Sequence, residues 1–356
     1  MHYFKKYFIQ FIPFFLAIFT YFTFVFFKNN AELTEHIYAQ SIYPVIASVL
    51  SNFSSLISFS LDDAFYVLLV LIVIFGVCLV ILRKRSVKWF FLRLTQILAV
   101  VYFLFYWFWG FNYLRQDAHH RIGIEKSKAD KDTLVKVLDL VIEKTNKSYI
   151  SFVGKDSVNY QSVLEPSIEQ LHYTLNYPYP NGQRRVKHIL FSDFFAKASI
   201  LGYYGPFFNE VHVNAYLSVW DKPIVTAHEM SHQLGITSEA EANFYAWMIT
   251  VNSDDQFANY SGWLYALGFF LYQSRDVTDQ KEIIKKIKPE VISDFRARRE
   301  YWKNLRSDKI DEAARKVNDA YLKSNQVKNG VADYGGVVQL IIDFYLSNTN
   351  NEIFKK

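Results

Sequence analysis

A single cysteine, Cys78, in 356 residues excludes an intrachain disulfide framework and any metal site built from several thiolates. Charge is also scarce, 21 % against 51 % apolar residues, and this composition is neither that of a disordered chain nor that of a collagen-like one. Residues 1–111 hold 8 Lys/Arg against 4 Asp/Glu and the remainder 31 against 30. The net +5 is therefore no nucleic-acid footprint, which needs basic residues clustered on a folded surface. No internal repeat or low-complexity tract is present.

Aromatic residues, in contrast, are abundant and uneven: 31 of the 65 Phe, Tyr and Trp fall in the first 111 residues. That region holds three apolar stretches, about residues 8–27, 64–82 and 94–111. Each is near the roughly 20 helical residues needed to cross a hydrocarbon core of about 30 Å. A buried soluble helix is the competing reading, and the lack of a charged face on the first two argues against it. Lys5 and Lys6 precede the first stretch, as in a signal peptide, but no small-residue cleavage site precedes Lys28, so an uncleaved anchor is expected. Thr95 and Gln96 interrupt the third, and Trp107 and Trp109 stand where an interfacial aromatic belt would fall. Arg83, Lys84, Arg85, Lys88 and Arg93 crowd the loop between the second and third, the excess that cytoplasmic loops carry. A membrane domain over residues 1–111 follows, with the lipid bilayer as a partner and the chain after about Asn112 outside. Ile37, Ser41, Pro44, Val45 and Val49, in the outer connection, suit either a short helix on the membrane or an ordinary loop.

Residues 112–356 read as an extracytoplasmic, water-soluble domain large enough for its own core. Leu134, Val137, Leu138 and Val141 have helical spacing after a cap at Asp130 or Asp132, and Val163 to Leu175 predict a second helix containing Pro166. Val186–Phe191 reads as a strand, and Val211, Val213, Ala215 and Leu217 alternate as in a half-buried one. Helices are expected at about 222–234, 238–252, 256–274, 278–287, 290–305, 308–324 and 335–347. Within Phe257–Tyr272, Ser261, Gly262 and Gly268 favour a core helix over a fourth span. The fold class is a membrane-anchored α+β chain: three transmembrane helices, then a mostly helical domain with a small sheet.

The chemistry concentrates in Thr226-Ala-His-Glu-Met-Ser-His-Gln-Leu-Gly235. Positions four apart share one helix face, so His228 and His232 can present two imidazoles to one Zn²⁺ while Glu229 stands beside it to act on bound water. Pro223 suits a first helical turn and Gly235 a left-handed end. Two surface histidines on a helix are the structural alternative. A catalytic zinc takes a third protein ligand, and Glu239 and Glu241 compete for that place. Ser238 and Glu241 have capping-box spacing, which engages Glu241 locally and makes Glu239 the choice. The implied chemistry is metal-assisted hydrolysis, with Glu229 as general base. An extended substrate would pair with an edge strand, for which Val211–Leu217 is the candidate. Tyr203, Tyr204, Tyr245 and His212 are the candidate oxyanion donors, and core placement is the alternative for each tyrosine.

Several segments together resemble a zincin-like bacterial membrane family, domain-of-unknown-function family 3810. They are Ile42-Tyr43-Pro44, Ser58-Phe59-Ser60-Leu61, Trp109 to Arg115, and Gly202 to Phe207 with Glu210 and Asn214. The likeness continues through His228 to His232, Glu239 to Phe244, Tyr260 to Leu267, and Tyr334 to Val338. The resemblance implies a metallopeptidase-like protein of the bacterial inner membrane. Glu239 to Asn243 is also similar to the Glu-x-x-Ala-Asp element of gluzincin peptidases, whose leading Glu binds zinc. Those peptidases usually place it on a more distant helix. Here Glu239 follows His232 by only seven residues, closer to the metzincin arrangement of a third ligand after a Gly turn, although theirs is usually His and Ser238 stands about where that His would.

The expected activity is zinc-dependent hydrolysis of extracytoplasmic polypeptides. A non-proteolytic membrane sensor or scaffold, and a zinc amidase acting on a cell-wall amide, are the alternatives. The expected topology makes a reporter that is active only outside the cytoplasm functional when fused after Gln116; activity of a cytoplasm-only reporter there overturns the assignment.

Overall fold

The computed structural model describes residues 2–128, 130–179, 181–277, 280–324 and 336–347, with side chains from Ile9 onward. The chain forms two compact units: Met1–Gln116 with Pro180–Arg185 and Gly205–Glu210, and Asp117–Tyr179 with Val186–Tyr204 and Val211–Lys356. Mostly helical, it carries one small three-stranded sheet among the described residues.

In the first unit α1 (His2–Lys28) leads through α2 (Ala31–Leu33) and a π-helix, Thr34–Ile42, into α3 (Tyr43–Ser55). Then come α4 (Leu61–Ile81), α5 (Val87–Phe108) and a 3-10 turn, Gly110–Leu114. Three segments are long and apolar enough to cross a membrane: Ile9–Lys28, Leu61–Ile81 and Val87–Phe108. Only 6 %, 6 % and 11 % of the residues in their most apolar windows are buried within the protein, so most of them keep some surface exposed. Two begin earlier than their apolar runs, because polar caps set the start. Ser60 Oγ accepts the Asp63 N–H ahead of α4, and Ser86 Oγ accepts the Trp89 N–H ahead of α5. At its other end α5 stops at Phe108, where Trp109 turns out of the helix with φ −158°.

The segment between the first two spans is a helix rather than a loop, and Ile37, Val45 and Val49, the apolar residues expected at a membrane surface, are exposed. It is π-helical and then α-helical, with Tyr38, Ala39, Tyr43 and Ala47 buried. Phe27, Tyr38, Tyr43 and Phe111 form an aromatic cluster with ring centroids 5.2–6.2 Å apart, and Tyr38 Oη donates to the Tyr106 and Trp107 carbonyls. Trp109, expected in an interfacial belt, is 5 % exposed and packs on Phe105 and Tyr113. Beside this cluster the buried Glu35 carboxylate accepts Arg115 Nε at 2.9 Å and Nη2 at 2.6 Å, and Gln40 Nε2 at 2.8 Å. A reciprocal pair holds the start of α4. Glu210 Oε2 accepts the Leu61 and Asp62 N–H groups at 2.9 and 3.1 Å, while the Asp62 carboxylate accepts those of Phe207 and Phe208 at 3.1 and 3.2 Å.

The second unit contains α6 (Ala118–Ile122), α7 (Lys131–Ser148), α8 (Tyr160–Leu171), β1 (Val186–His188) and α9 (Ser192–Lys197). After them come β2 (Gly202–Gly205) and β3 (Glu210–Val213), then α10 (Lys222–Gln233) and α11 (Glu239–Val251). The remainder is α12 (Gln256–Gln273), α13 (Gln280–Ile284), α14 (Pro289–Leu305), α15 (Asp308–Ser324) and α16 (Val337–Ser347). Asp130 supplies the α7 cap, accepting the Thr133 N–H at 2.8 Å. Of the expected helices, Thr278 and Asp279 in one and Gly335 in another lie outside the described residues, as does Tyr334. The core centres on α11, buried along its whole length, and α12 packs there as a core helix rather than a span.

The sheet order is β1-β3-β2, with β1 parallel to β3 and Val186 opposite Val211. The short link between β2 and β3 requires those two to be antiparallel. This corrects the strand expectation: β3 is central rather than an edge, is buried throughout, and ends at Val213. There the buried Asn214 takes over, donating to the Ser192 and Ile200 carbonyls and accepting the Tyr216 N–H. Both β1 and β2 are edges beside β3.

Replacing Arg115 with Ala would leave the Glu35 carboxylate buried without its guanidinium, a loss of about 3–5 kcal/mol. Thermal unfolding of the detergent-solubilised protein should show a large fall in Tm for R115A and a smaller one for the E35Q/R115M double variant.

Candidate metal centre

The two helices α10 and α11 and the turn between them place the candidate ligands and Glu229. Helical spacing sets His228 and His232 on one face of α10, with their imidazole Nε2 atoms 3.2 Å apart. The helix then ends in a left-handed turn. Gly235 has φ +81°, its N–H bonds the His232 carbonyl at 2.9 Å, and the Ile236 N–H reaches back to the Ser231 carbonyl at 3.3 Å. This is a Schellman closure, and glycine supplies the positive φ without steric cost. It also turns the Ile236 carbonyl onto His232 Nδ1 at 2.6 Å. A carbonyl can only accept, so Nδ1 carries the proton and Nε2 is left as the ligand atom.

The chain re-enters helix at Ser238, whose hydroxyl accepts the Glu241 N–H, and Glu239 is the first residue of α11. Glu239 Oε2 lies 3.2 Å from His228 Nε2 and 3.7 Å from His232 Nε2. These three form the one candidate ligand group among the described residues, all their ligand atoms lying within 4.8 Å of one another. Zinc bonds of about 2.0–2.1 Å in a tetrahedron require ligand atoms about 3.3 Å apart, so the set fits a zinc ion. The competing carboxylate is engaged elsewhere. Glu241 accepts the Ala118 N–H at 2.7 Å and pairs with the buried Arg121.

Two carboxylates of this site have opposite electrostatics. Burial opposes the charge of Glu239, but hydrogen bonds from His228 and His232 outweigh it and hold the carboxyl well below the usual range. For Glu229 burial dominates and raises the carboxyl, partly offset by His228 and His232. His232 is disfavoured as a cation by burial, yet its hydrogen bond to Glu239 and the two acidic neighbours push it up to about 9. That negative field suits a divalent cation.

Glu229 Oε2 is buried with no hydrogen-bond partner among the described residues. Its other oxygen lies against β2: a Cβ at Gly202 would stand 2.6 Å from Glu229 Oε1 and 2.7 Å from the His212 carbonyl, so only glycine lets the strand approach. Nothing in the zinc motif signals Gly202, although it heads the Gly202 to Phe207 segment of the family resemblance. Tyr203 stacks on the fully buried His212, ring centroids 4.4 Å apart. Tyr204 is buried on β2. Tyr245 belongs to the core, with its hydroxyl donated to the Leu175 carbonyl at 2.7 Å, which removes it from the candidate oxyanion donors. Tyr265 was missed. Its hydroxyl donates to Asn243 Oδ1 at 3.2 Å and feels the Glu229 and Glu239 charges, while burial keeps it a neutral donor.

A family model described as protein of unknown function (DUF3810) matches residues 38–342. No curated protein and no solved structure matches the chain.

Purified protein should carry zinc at about one per chain, measured by elemental analysis. Because weaker outer contacts already cost 10–100-fold in metal affinity, E239Q should lose more than about 100-fold. E241Q should keep zinc and lose thermal stability through its unpaired Arg121; loss of zinc in E241Q alone would move the ligand assignment to Glu241.

Proposed function

The chain belongs to the DUF3810 family of proteins of unknown function, and from its His-His-Glu geometry and its apolar helices we propose a membrane-anchored zinc metallopeptidase that hydrolyses extracytoplasmic polypeptides. The observation that carries this reading is the pairing of a convergent ligand set with a separate carboxylate whose Oε2 has no hydrogen-bond partner among the described residues. His228, His232 and Glu239 would hold the metal, and three protein ligands leave one position open, as in catalytic rather than structural zinc sites. Zinc bound there supplies a Lewis acid that polarises a carbonyl and makes water more acidic.

Glu229 acts on the proton. Its Oε2 is buried and bonded to nothing among the described residues, and burial raises its carboxyl, the direction that makes a carboxylate a better base. In hydrolysis it accepts the proton of the attacking water and delivers it to the departing amine. An extended polypeptide laid along β2 would pass Gly202 and so pass Glu229, with main-chain bonding that asks little of sequence. Tyr203, supported by its stack on His212, is the phenol left to donate to a developing oxyanion.

A scaffold that used the metal for structure alone would have no need of a general base. Glu229 thus separates the peptidase from the sensor reading, and the extended β2 edge favours a polypeptide over a cell-wall amide. Topology follows the positive-inside excess at Arg83 to Arg93, which puts the second unit outside the bacterial inner membrane.

Full-length protein incubated with an unfolded polypeptide such as casein should cleave it in a chelator-sensitive way. E229Q should retain zinc and slow cleavage by about 10²–10⁴-fold. Unchanged cleavage by zinc-loaded E229Q would falsify the role of Glu229. G202A should also keep zinc but cleave slowly, since its methyl displaces Glu229.

A further inference from the structure

Within the first unit, α1, α4 and α5 border a groove of about 340 Å³. Its walls are apolar, including Phe65, Leu69, Ile97, Val100 and Leu104, and Arg93 and Gln96 are its polar residues. Along α5 the lining runs from Arg93 to Leu104, about 16 Å at 1.5 Å per residue. One leaflet of a hydrocarbon core is about 15 Å thick, the length of the chains that fill it.

Arg93 sits at the end of this lining nearest the basic loop. Its Nη1 donates to Gln96 Oε1 at 2.8 Å, and Gln96 in turn donates to the Gln10 carbonyl at 2.8 Å, so the amide is held between α1 and α5. A guanidinium has five N–H donors, and no carboxylate pairs with Arg93 among the described residues. An unpaired cation inside an apolar span is costly, and its natural complement there is a lipid phosphate. Other nearby cations behave differently: Arg85 lies over the Trp89 ring in the loop and lines no part of the groove.

We propose that this groove is a specific site for an anionic phospholipid, with one acyl chain along α5 and the phosphate paired with Arg93. Binding is independent of any hydrolytic activity and rests on the three apolar helices alone. The occupant is a lipid rather than a soluble phosphate because the groove's walls offer hydrocarbon contact over its full length.

Native mass spectrometry of the full-length protein, titrated with phosphatidylglycerol or with phosphatidylcholine of identical chains, tests the site. Wild type should favour phosphatidylglycerol by about tenfold, the worth of one charge-assisted hydrogen bond. R93Q should bind the two lipids equally, R93K should keep part of the preference, and R85Q should keep all of it. Filling the groove with V100W, or with V101F if that protein does not fold, should weaken both lipids. Equal binding by wild type, or a preference lost as fully in R85Q as in R93Q, overturns the proposal. So does unchanged binding of both lipids by a folded groove-filling variant.

Discussion

The left-handed turn at Gly235 is the constraint on which the candidate centre rests. An α-helix can place two ligands four residues apart, but a third from the same helix would fall along its axis rather than around a metal. By stopping α10 just after His232 and sending the chain back, the turn brings the start of α11 over the histidine face within seven residues. The same closure that satisfies the orphan carbonyls of α10 delivers the Ile236 carbonyl to His232. Backbone economy and ligand orientation are thus one interaction. The full burial of α11 in the core then anchors the returning segment.

Around this turn, equal chemistry acquires unequal roles. Three glutamates lie within thirteen residues of one another, and each ends in a different state because of what surrounds its carboxylate. Glu239 faces two imidazoles and stays ionised; Glu229 is backed by a glycine strand and is raised by burial. Glu241 is committed to Arg121 and the Ala118 N–H. The glycine at 202 belongs to this partition, since any side chain there would occupy the space of the Glu229 carboxylate.

The first unit shows a different balance between local and distant causes. Its three apolar helices are legible because twenty successive residues without a charged face have few alternatives in water. What could not be read was the inward fate of several aromatics. Tyr38, Tyr43, Trp109 and Phe111 resemble their outward-facing neighbours in composition, and only contacts between residues far apart in the chain distinguish them. The same holds for Asp62 and Glu210, 148 positions apart, whose reciprocal bonds to backbone N–H groups carry no periodicity at all.

By itself the sequence determined the helical character of the chain, its apolar spans, the His228, Glu229 and His232 constellation, and the glycine that ends its helix. All of these follow from spacing within a few turns, where side-chain direction is set by the backbone period. Tertiary structure decided that Glu239 rather than Glu241 meets the histidines, that β3 lies at the centre and β2 at the edge, and that Tyr245 serves the core. Each of those outcomes depends on which distant group arrives to accept a proton or fill a face, and that is a property of packing rather than of pattern.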